Sequence, residues 1–187
     1  MKKGICVQLL LISLLAGCVS TKVPNEALDW SNPAQIKDKA VITKDSFNGQ
    51  VTIVGPECHA KSCRITSQPN KYGGYILIRS WYNNESKVQH QLYTVLFAPE
   101  WLGIDHAYDS KGNKYSVTQI KDDSVSCVYG AGCVIQEAVG INLTESDIVK
   151  FSNGGVVLKY YGNGFSSSPW SIPESYFKAI SNINQSL

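Results

Sequence analysis

Short runs of apolar and β-branched residues recur from residue 46 onward, and turn-forming residues such as glycine, asparagine, aspartate and serine separate them. This pattern predicts β-strands joined by turns. The run at 73–83 begins with apolar residues at successive positions, which is typical of a central strand buried on both faces. The segments predicted to hold strands are 49–55, 73–83, 87–99, 106–120, 124–143 and 154–164.

Three of the predicted turns join neighbouring strands into hairpins. Residues 83–86 (Asn-Asn-Glu-Ser) are typical turn residues. The segment 106–120 is predicted to turn at 109–113, where Gly112 supplies a positive φ, and 124–143 is predicted to turn at Gly130-Ala131-Gly132. Consecutive hairpins predict an antiparallel sheet. We therefore expect a mainly β (β-rich α+β) fold, either a sandwich or a curved sheet covered by a helix.

Two helices are predicted beside the strands. Thr144, followed by Asp147 three residues later, is a variant of the capping box and predicts a short helix near 144–152. Pro173 can begin a C-terminal helix near 173–183. The residues of that segment that fall near one helical face are Ile172, Tyr176, Ile180 and Ile183.

The first residues follow a different pattern. Lys2 and Lys3 precede a mostly apolar run over residues 4–17. As a helix this run would span only about 20 Å, less than the ~30 Å hydrocarbon core of a membrane. A positive start, a short apolar stretch and small residues at its end are typical of an export signal.

The end of this run, Leu15-Ala16-Gly17-Cys18, resembles the lipobox of bacterial lipoprotein precursors. The resemblance covers residues 1–18. It implies that Cys18 receives a diacylglycerol thioether, that the segment before it is cleaved, and that the new amine is acylated. Several acyl chains hold a protein stably on a membrane, whereas one chain does so only marginally. Val19 stands where lipoproteins retained in the inner membrane often have aspartate, so the resemblance implies the outer membrane.

This interpretation divides the chain into three parts: a signal peptide at 1–17, a lipidated N-terminus and tether at 18–44, and one globular domain at 45–187. The tether is polar, with one helical turn expected near 33–37. Cleavage removes 17 of the 187 residues and leaves 170, a size that supports one good hydrophobic core. We find no characterised family that residues 46–187 resemble.

Charge after cleavage argues against a nucleic-acid partner. The signal segment contains two of the 17 lysines and arginines and none of the 15 acidic residues, so the mature chain has 15 of each sign. No run of like charges appears. A neutral chain without a basic cluster gives no support for binding nucleic acid.

Four cysteines remain once Cys6 leaves with the signal and Cys18 carries lipid: Cys58, Cys63, Cys127 and Cys133. Export places them in an oxidising compartment, where they are expected to form disulfides. Three pairings are possible, and the short spacings favour Cys58–Cys63 and Cys127–Cys133. Each loop is short, so each bond contributes roughly 2 kcal/mol. A four-cysteine zinc site would normally use C-x2-C spacings, which are absent here.

Signals for catalysis are weak. The chain has three histidines, His59, His90 and His106, without a G-x-S-x-G elbow or a His-x-x-x-His zinc pattern. Asp105 and His106 are adjacent, and side chains at adjacent strand positions point to opposite faces, so we expect them not to form the orienting pair of a triad. No metal or other cofactor is expected.

A cysteine-closed loop and two tryptophans are the candidates for recognition. His59 and Lys61 lie in the small loop between Cys58 and Cys63, and a constrained loop can bind at a low entropy cost. Trp101 and Trp170 lie beside prolines or turns and are expected to be the exposed tryptophans.

We expect a lipid-anchored, non-catalytic module that binds an envelope protein or glycan or supports an envelope assembly. One alternative is an envelope glycan or cell-wall hydrolase with His90 or His106 as its base. Another is a carrier of a small molecule or lipid, with a cavity between sheet and helix. A polar pocket holding a histidine and an acid within ~3 Å of each other would favour the hydrolase, a large apolar cavity the carrier, and a flat aromatic patch a binding partner.

Overall fold

The chain forms two antiparallel sheets with a few short helices. The computed structural model describes residues 27–63, 73–82, 88–128 and 132–186. The strands in this part of the chain are β1 Val41–Lys44, β2 Val51–Val54, β3 Cys58–His59, β4 Gly73–Tyr82, β5 Gln89–Ala98, β6 Ile104–Asp109, β7 Lys114–Ser116, β8 Thr118–Val128, β9 Gly132–Leu143, β10 Val156–Gly162, β11 Phe165–Ser166 and β12 Trp170–Ile172. The helices are α1 Pro33–Lys39, α2 Ala60–Cys63, α3 Glu145–Phe151 and α4 Glu174–Asn184.

The larger sheet has the strand order β1-β2-β4-β5-β9-β8, and β3 also pairs with β4. The hairpins β1–β2, β4–β5 and β8–β9 are all antiparallel. The prediction of consecutive hairpins is therefore confirmed, and β4 is a central strand as expected. The turn residues 83–86, Gly130 and Ala131 lie outside the described residues.

The smaller sheet has the order β11-β10-β6-β7, with β12 also paired to β10. The β6–β7 turn follows the sequence prediction, and Gly112 has a φ of 86°. Asp109 stabilises this turn because its carboxylate accepts hydrogen bonds from the backbone of Lys111 and from the backbone and side chain of Asn113. Burial opposes ionisation of Asp109, but these hydrogen bonds outweigh it and lower its pKa.

Both sheets contribute to one hydrophobic core, which is the arrangement of a β-sandwich. Helix α4 completes this core with buried side chains that include Tyr176, Phe177, Ile180 and Ile183. The Tyr176 hydroxyl accepts a hydrogen bond from the Ile78 backbone N–H at 3.1 Å and donates one to the Pro56 carbonyl at 2.6 Å. The terminal helix is thereby held against the larger sheet. No helix in the described ranges is both long and apolar enough to span a membrane.

The predicted helices are confirmed within a residue or two. Thr144 and Asp147 form the reciprocal hydrogen bonds of a capping box at the start of α3. Pro173 is the N-cap residue of α4. Helix α1 begins at Pro33 after Asn32, whose side chain accepts hydrogen bonds from two backbone N–H groups of the first turn.

The predicted tether is too long. Ile36 of α1 is completely buried, and α1 packs against α4. The rings of Trp30 and Tyr176 lie 5.4 Å apart, and Leu28 also packs on the core. The segment 41–44 forms β1 instead of a tether. The packed part of the chain therefore includes Leu28 and α1. The predicted signal peptide, Cys18 and the other residues up to 26 lie outside the described residues.

Candidate functional site

Three aromatic side chains form a continuous surface on the outward face of the smaller sheet. His106 and Tyr108 lie two residues apart on β6, and Tyr161 of β10 pairs with His106. The His106 and Tyr161 rings stack with their centroids 5.3 Å apart and their planes 7° apart. The Tyr108 ring is edge-on to both, at 5.4 Å from His106 and 5.7 Å from Tyr161. All three residues are half-buried, and we call them the aromatic platform.

Two lysines flank this platform. Tyr108 pairs with Lys114 on one side and Lys159 on the other, and directly paired residues carry their side chains on the same face. Lys159 Nζ lies 5.2 Å from the centroid of the Tyr161 ring, a cation–π distance. Within the described residues neither lysine makes a salt bridge. The platform therefore carries positive charge that is not neutralised by an ion pair there.

Serine hydroxyl groups border the row of the platform that His106 and Tyr161 form. Ser116 pairs with His106, and Ser166 pairs with Tyr161. Both serines are exposed. The outward face thus combines a cluster of packed aromatic rings at its centre with hydroxyl groups at its edges.

The prediction that Asp105 and His106 point to opposite faces is wrong. The Asp105 carboxylate accepts a hydrogen bond from His106 Nδ1, although the two residues are adjacent on β6. The reason is a register shift: Ile104 pairs with Gly162 and His106 with Tyr161, so Asp105 is the extra residue of a bulge. A β-bulge interrupts the alternation of side chains and re-aims one of them.

The inner face of the sheet behind the platform is buried in the core. Ala107 and Tyr160, which lie between the platform residues on β6 and β10, are completely buried. The hydroxyls of Tyr160 and Thr94 are hydrogen-bonded at 2.6 Å, which joins the smaller sheet to β5 of the larger one. Burial raises the pKa of Tyr160 far above its ordinary value, so this hydroxyl keeps its proton.

The start of β6 is held by a buried carboxylate. Glu137 on β9 is 1% exposed and accepts hydrogen bonds from the backbone N–H groups of Leu102, Gly103 and Ile104, at 2.9, 3.1 and 2.6 Å. Gln119 Nε2 donates a further hydrogen bond to it at 3.1 Å. Glu137 therefore fixes the segment that leads directly into the platform strand.

A second polar site centres on His90. His90 Nδ1 lies 2.7 Å from Ser80 Oγ, and His90 Nε2 lies 2.9 Å from Glu145 Oε1. Glu145 is the first residue of α3 and its side chain is 61% exposed. The histidine and the acid face a cavity of about 590 Å³. Its other described lining residues are Val88, Gln89, Asn142, Leu143 and Thr144.

This Ser–His–Glu arrangement does not present a serine nucleophile. Ser80 is completely buried, whereas a catalytic serine must reach its substrate. Because the Glu145 carboxylate can only accept, His90 Nε2 donates the hydrogen bond between them. The His90 side chain is fully buried although the residue lines the cavity, whereas the Glu145 side chain is 61% exposed, so chemistry at this site would have to use the carboxylate.

The predicted recognition loop lies at the edge of the larger sheet. His59 and Lys61 are exposed. His59 Nε2 lies 3.3 Å from a Glu57 carboxylate oxygen, and its ring contacts Tyr75 edge-on at 5.7 Å. The structure does not bring His59 or Lys61 together with the aromatic platform, which belongs to the other sheet.

The two predicted tryptophans differ in exposure. Trp101 is 45% exposed, as expected. The expectation for Trp170 is wrong, because Trp170 is completely buried. It lies on β12, a short strand that the sequence analysis did not predict, and its pairing with Leu158 turns the indole into the shared core.

Both predicted local disulfides form, Cys58–Cys63 and Cys127–Cys133, with Cα–Cα distances of 5.7 and 3.9 Å. Cys58 and Cys63 are buried and belong to the core, whereas Cys127 and Cys133 pair directly across the β8–β9 hairpin. Each bond closes a local segment, as the spacing predicts.

A further aromatic strip covers the outward face of the larger sheet. The Arg79 guanidinium donates two hydrogen bonds to Gln91 Oε1 and lies 4.6 Å from the centroid of Tyr93 and 5.5 Å from that of Trp81. Its charged group is thus satisfied by neighbours within the sheet. This strip is better explained as packing than as a binding site.

The chain matches no known family model, no curated protein and no solved structure. Among the described residues, no group of three or more histidine, cysteine, aspartate and glutamate side chains is placed to hold a metal ion.

The platform tyrosines were missed by sequence reasoning. Tyr108 and Tyr161 are 53 positions apart and become neighbours only through the pairing of β6 with β10. The alternation His106-x-Tyr108 was the one local signal that two rings share a face.

Proposed function

We propose that this chain is a lipoprotein of the bacterial outer membrane, anchored through lipid on Cys18, and that its domain is a non-catalytic binding module of the cell envelope. The lipobox residues Leu15-Ala16-Gly17-Cys18 carry the anchor. The aromatic platform is the surface through which the domain binds its partner.

The disulfides of the domain support export. Both local cysteine pairs are joined as disulfides. Stable disulfides are typical of proteins outside the reducing cytosol. The Cys58–Cys63 bond lies in the core, so reduction would disturb packing and not only a surface loop.

The shape of the domain favours binding at its surface. The volume between α4 and the sheets is filled by buried side chains such as Tyr176, Phe177 and Ile180. A carrier would need a large cavity there. By contrast, the platform places three half-buried rings beside two lysines, neither of which makes a salt bridge to a described residue, on the outward face of the smaller sheet. This is the observation that carries the binding role.

The anchor limits where the partner can be. Leu28, which packs on the core, lies ten residues after Cys18. Ten residues span at most about 35 Å when fully extended. The partner must therefore be reached close to the membrane surface.

Fractionation of the host's envelope tests the anchor. The wild-type chain is expected in the membrane fraction after a high-salt wash, and Cys18→Ala is expected to lose that attachment. Cys6→Ala is the matched control, since this cysteine leaves with the signal peptide and its loss is expected to leave attachment unchanged. A wild-type chain that washes off, or a Cys18→Ala chain that stays, would contradict the proposal.

A second candidate function is an envelope glycan hydrolase, favoured by the His90–Glu145 pair beside the 590 Å³ cavity. In this function Glu145 would act as general base or acid and His90 would orient it. Hydrolysis of purified peptidoglycan that is lost in Glu145→Gln, with fold and stability retained, would establish this alternative. Absence of hydrolysis by the wild-type chain would leave the non-catalytic proposal in place.

A further inference from the structure

We infer that the Cys127–Cys133 disulfide is a thiol-exchange site, which a dithiol reduces in the folded domain, whereas Cys58–Cys63 is a structural bond that the fold protects. The substrate class is a dithiol, either a small molecule or a pair of cysteines on the surface of a protein. The site lies on the larger sheet, so the inference does not depend on the aromatic platform.

The two disulfides differ in their access to solvent. Cys58 and Cys63 are completely buried and belong to the hydrophobic core. Cys127 and Cys133 are both exposed, and they pair directly across the β8–β9 hairpin. Thiol–disulfide exchange requires a thiolate to reach one of the two sulfur atoms, so access decides which bond reacts. In the folded chain the second pair offers that access and the first does not.

The buried bond is surrounded by packed elements. Cys58 lies on β3, which pairs with the central strand β4, and Cys63 ends α2, which contacts both β4 and β12. A reductant reaches these sulfur atoms after the core has opened, and such open states are a small fraction of the native population. The fold therefore protects Cys58–Cys63 from exchange.

The exposed bond joins two strands that extend past their neighbour β5. Strand β9 pairs with β5 from Leu143 to Ile135, whereas its pairing with β8 continues as far as Gly132. From Val134 to Gly132 the described pairs of β9 are thus with β8. We call this two-stranded extension, backbone residues 126–128 and 132–134, the disulfide ribbon. Two strands by themselves are marginally stable, so the disulfide is expected to hold the ribbon together.

Reduction is expected to loosen the disulfide ribbon and to leave the domain folded. The ladder between β9 and β5 consists of nine residue pairs and does not include Cys133. Because both cysteines of the bond are exposed, its opening uncovers no part of the core. The redox state of this bond therefore controls the order of the ribbon without controlling the fold.

The exchange takes two steps. A thiolate of the dithiol attacks Sγ of one cysteine, the Sγ–Sγ bond breaks, and the other cysteine leaves as a thiolate and takes up a proton. The second thiolate of the dithiol then attacks the first in the mixed disulfide and releases the remaining cysteine, which is protonated in turn. The protein disulfide gains two electrons and two protons, and the dithiol loses them and becomes a disulfide.

Differential alkylation of the folded chain tests the inference. The full-length chain is incubated with dithiothreitol without denaturant, free thiols are blocked with N-ethylmaleimide at successive times, and each cysteine is followed by mass spectrometry of its own peptide. Cys127 and Cys133 are expected to be blocked first. Cys58 and Cys63 are expected to react roughly a hundredfold more slowly, because their exposure requires opening of the core. Urea is expected to remove this difference.

Reduced thioredoxin is the second reductant, and it distinguishes the two sources of the dithiol. Opening by both reductants assigns the site to protein dithiols as well as small ones, whereas opening by dithiothreitol alone assigns it to small dithiols. Hydrogen exchange of the natively reduced chain measures the effect on the fold. Exchange is expected to become faster at the backbone amide of Val134 and to stay unchanged in β4.

The double variant Cys127→Ser/Cys133→Ser is the matched control, and its Cys58 and Cys63 are expected to stay unblocked without denaturant. The inference is overturned if Cys58–Cys63 opens as fast as Cys127–Cys133 in the folded wild type, or if neither bond opens there. It is also overturned if reduction speeds exchange in β4 as much as in the disulfide ribbon. Each peptide reports its own cysteine, so these outcomes are independent of lipid at Cys18.

Discussion

Removing the buried carboxylate of Glu137 is predicted to destabilise the domain strongly and to loosen the platform. Three consecutive backbone N–H groups, from Leu102 to Ile104, donate to this one side chain. The segment they belong to leads into β6, which carries two of the three platform rings. Glu137→Ala would leave these donors without their acceptor.

The size of the effect depends on which of these N–H donors are shielded from water. Leu102 and Ile104 are buried, at 2% and 1% exposed, whereas Gly103 is half-buried and its N–H can turn to water. A buried donor without a partner costs about 1–3 kcal/mol. Two such donors and the cavity left by the side chain give a predicted loss of about 3–5 kcal/mol in the free energy of unfolding.

Glu137→Gln separates charge from shape. Glutamine fills the same volume and keeps one acceptor oxygen, but its NH₂ group faces N–H donors. The predicted loss is about 2–3 kcal/mol, because each carboxylate oxygen accepts two hydrogen bonds, so two donors become unpaired, one of them a buried N–H group, and the other two lose a charged acceptor. Glu100→Gln is the matched control at an exposed position, with an expected change within about 0.5 kcal/mol.

Urea denaturation followed by circular dichroism measures these differences. With a slope of about 2 kcal/mol per molar, Glu137→Ala is expected to lower the midpoint by roughly 2 M. If both Glu137 variants unfold within about 1 kcal/mol of the wild type, the carboxylate does not hold the start of β6, and the reasoning is refuted.

Three further predictions concern other parts of the fold. The pKa of Asp109 is lowered in the folded state, so the stabilising effect of its carboxylate is complete above the ordinary pKa of 3.8 and is lost as the pH falls below that value. Urea titrations from pH 7 to pH 2 should therefore show a smaller acid-dependent loss of stability for Asp109→Asn than for the wild type. Tyr176→Phe removes two hydrogen bonds at a buried hydroxyl and should cost about 1–3 kcal/mol in the same assay, and an unchanged midpoint would contradict the contact. The double variant Cys127→Ser/Cys133→Ser should lose roughly 2 kcal/mol in the free energy of unfolding relative to the oxidised wild type, measured by thermal unfolding. The reduced wild type, in which both disulfides are open, should show the same loss or a larger one.

Local signals in the sequence were enough to predict most of the elements. The capping box at Thr144, the turn with Gly112 and the short cysteine spacings each depend on residues within a few positions of each other. Such interactions can be predicted from the sequence without knowledge of the fold. The helical face of Tyr176, Ile180 and Ile183 was likewise visible as a periodic pattern.

Features that depend on distant pairings could not be predicted. Trp170 is buried because β12 pairs with β10, and three residues are too short a strand to give a periodic signal. The strand β1 was assigned to a tether because its four residues are exposed and are ordered by pairing with β2. The Asp105–His106 contact required knowledge of the bulge between β6 and β10.

The candidate site shows the same limit more clearly. The functional role considered for His106 from the sequence was that of a catalytic base, because nothing local places it beside Tyr161. Cross-strand register creates the platform, and register is set by which faces of the strands are buried.

The central claim is that lipid on Cys18 holds a binding domain at the membrane. Mass spectrometry of the N-terminal peptide, from the chain purified out of host membranes, tests it most directly. The account predicts a peptide that begins at Cys18 and carries the mass of a diacylglycerol group and an N-linked acyl chain. A peptide that contains Cys18 without lipid, or that still extends to Met1, would contradict it.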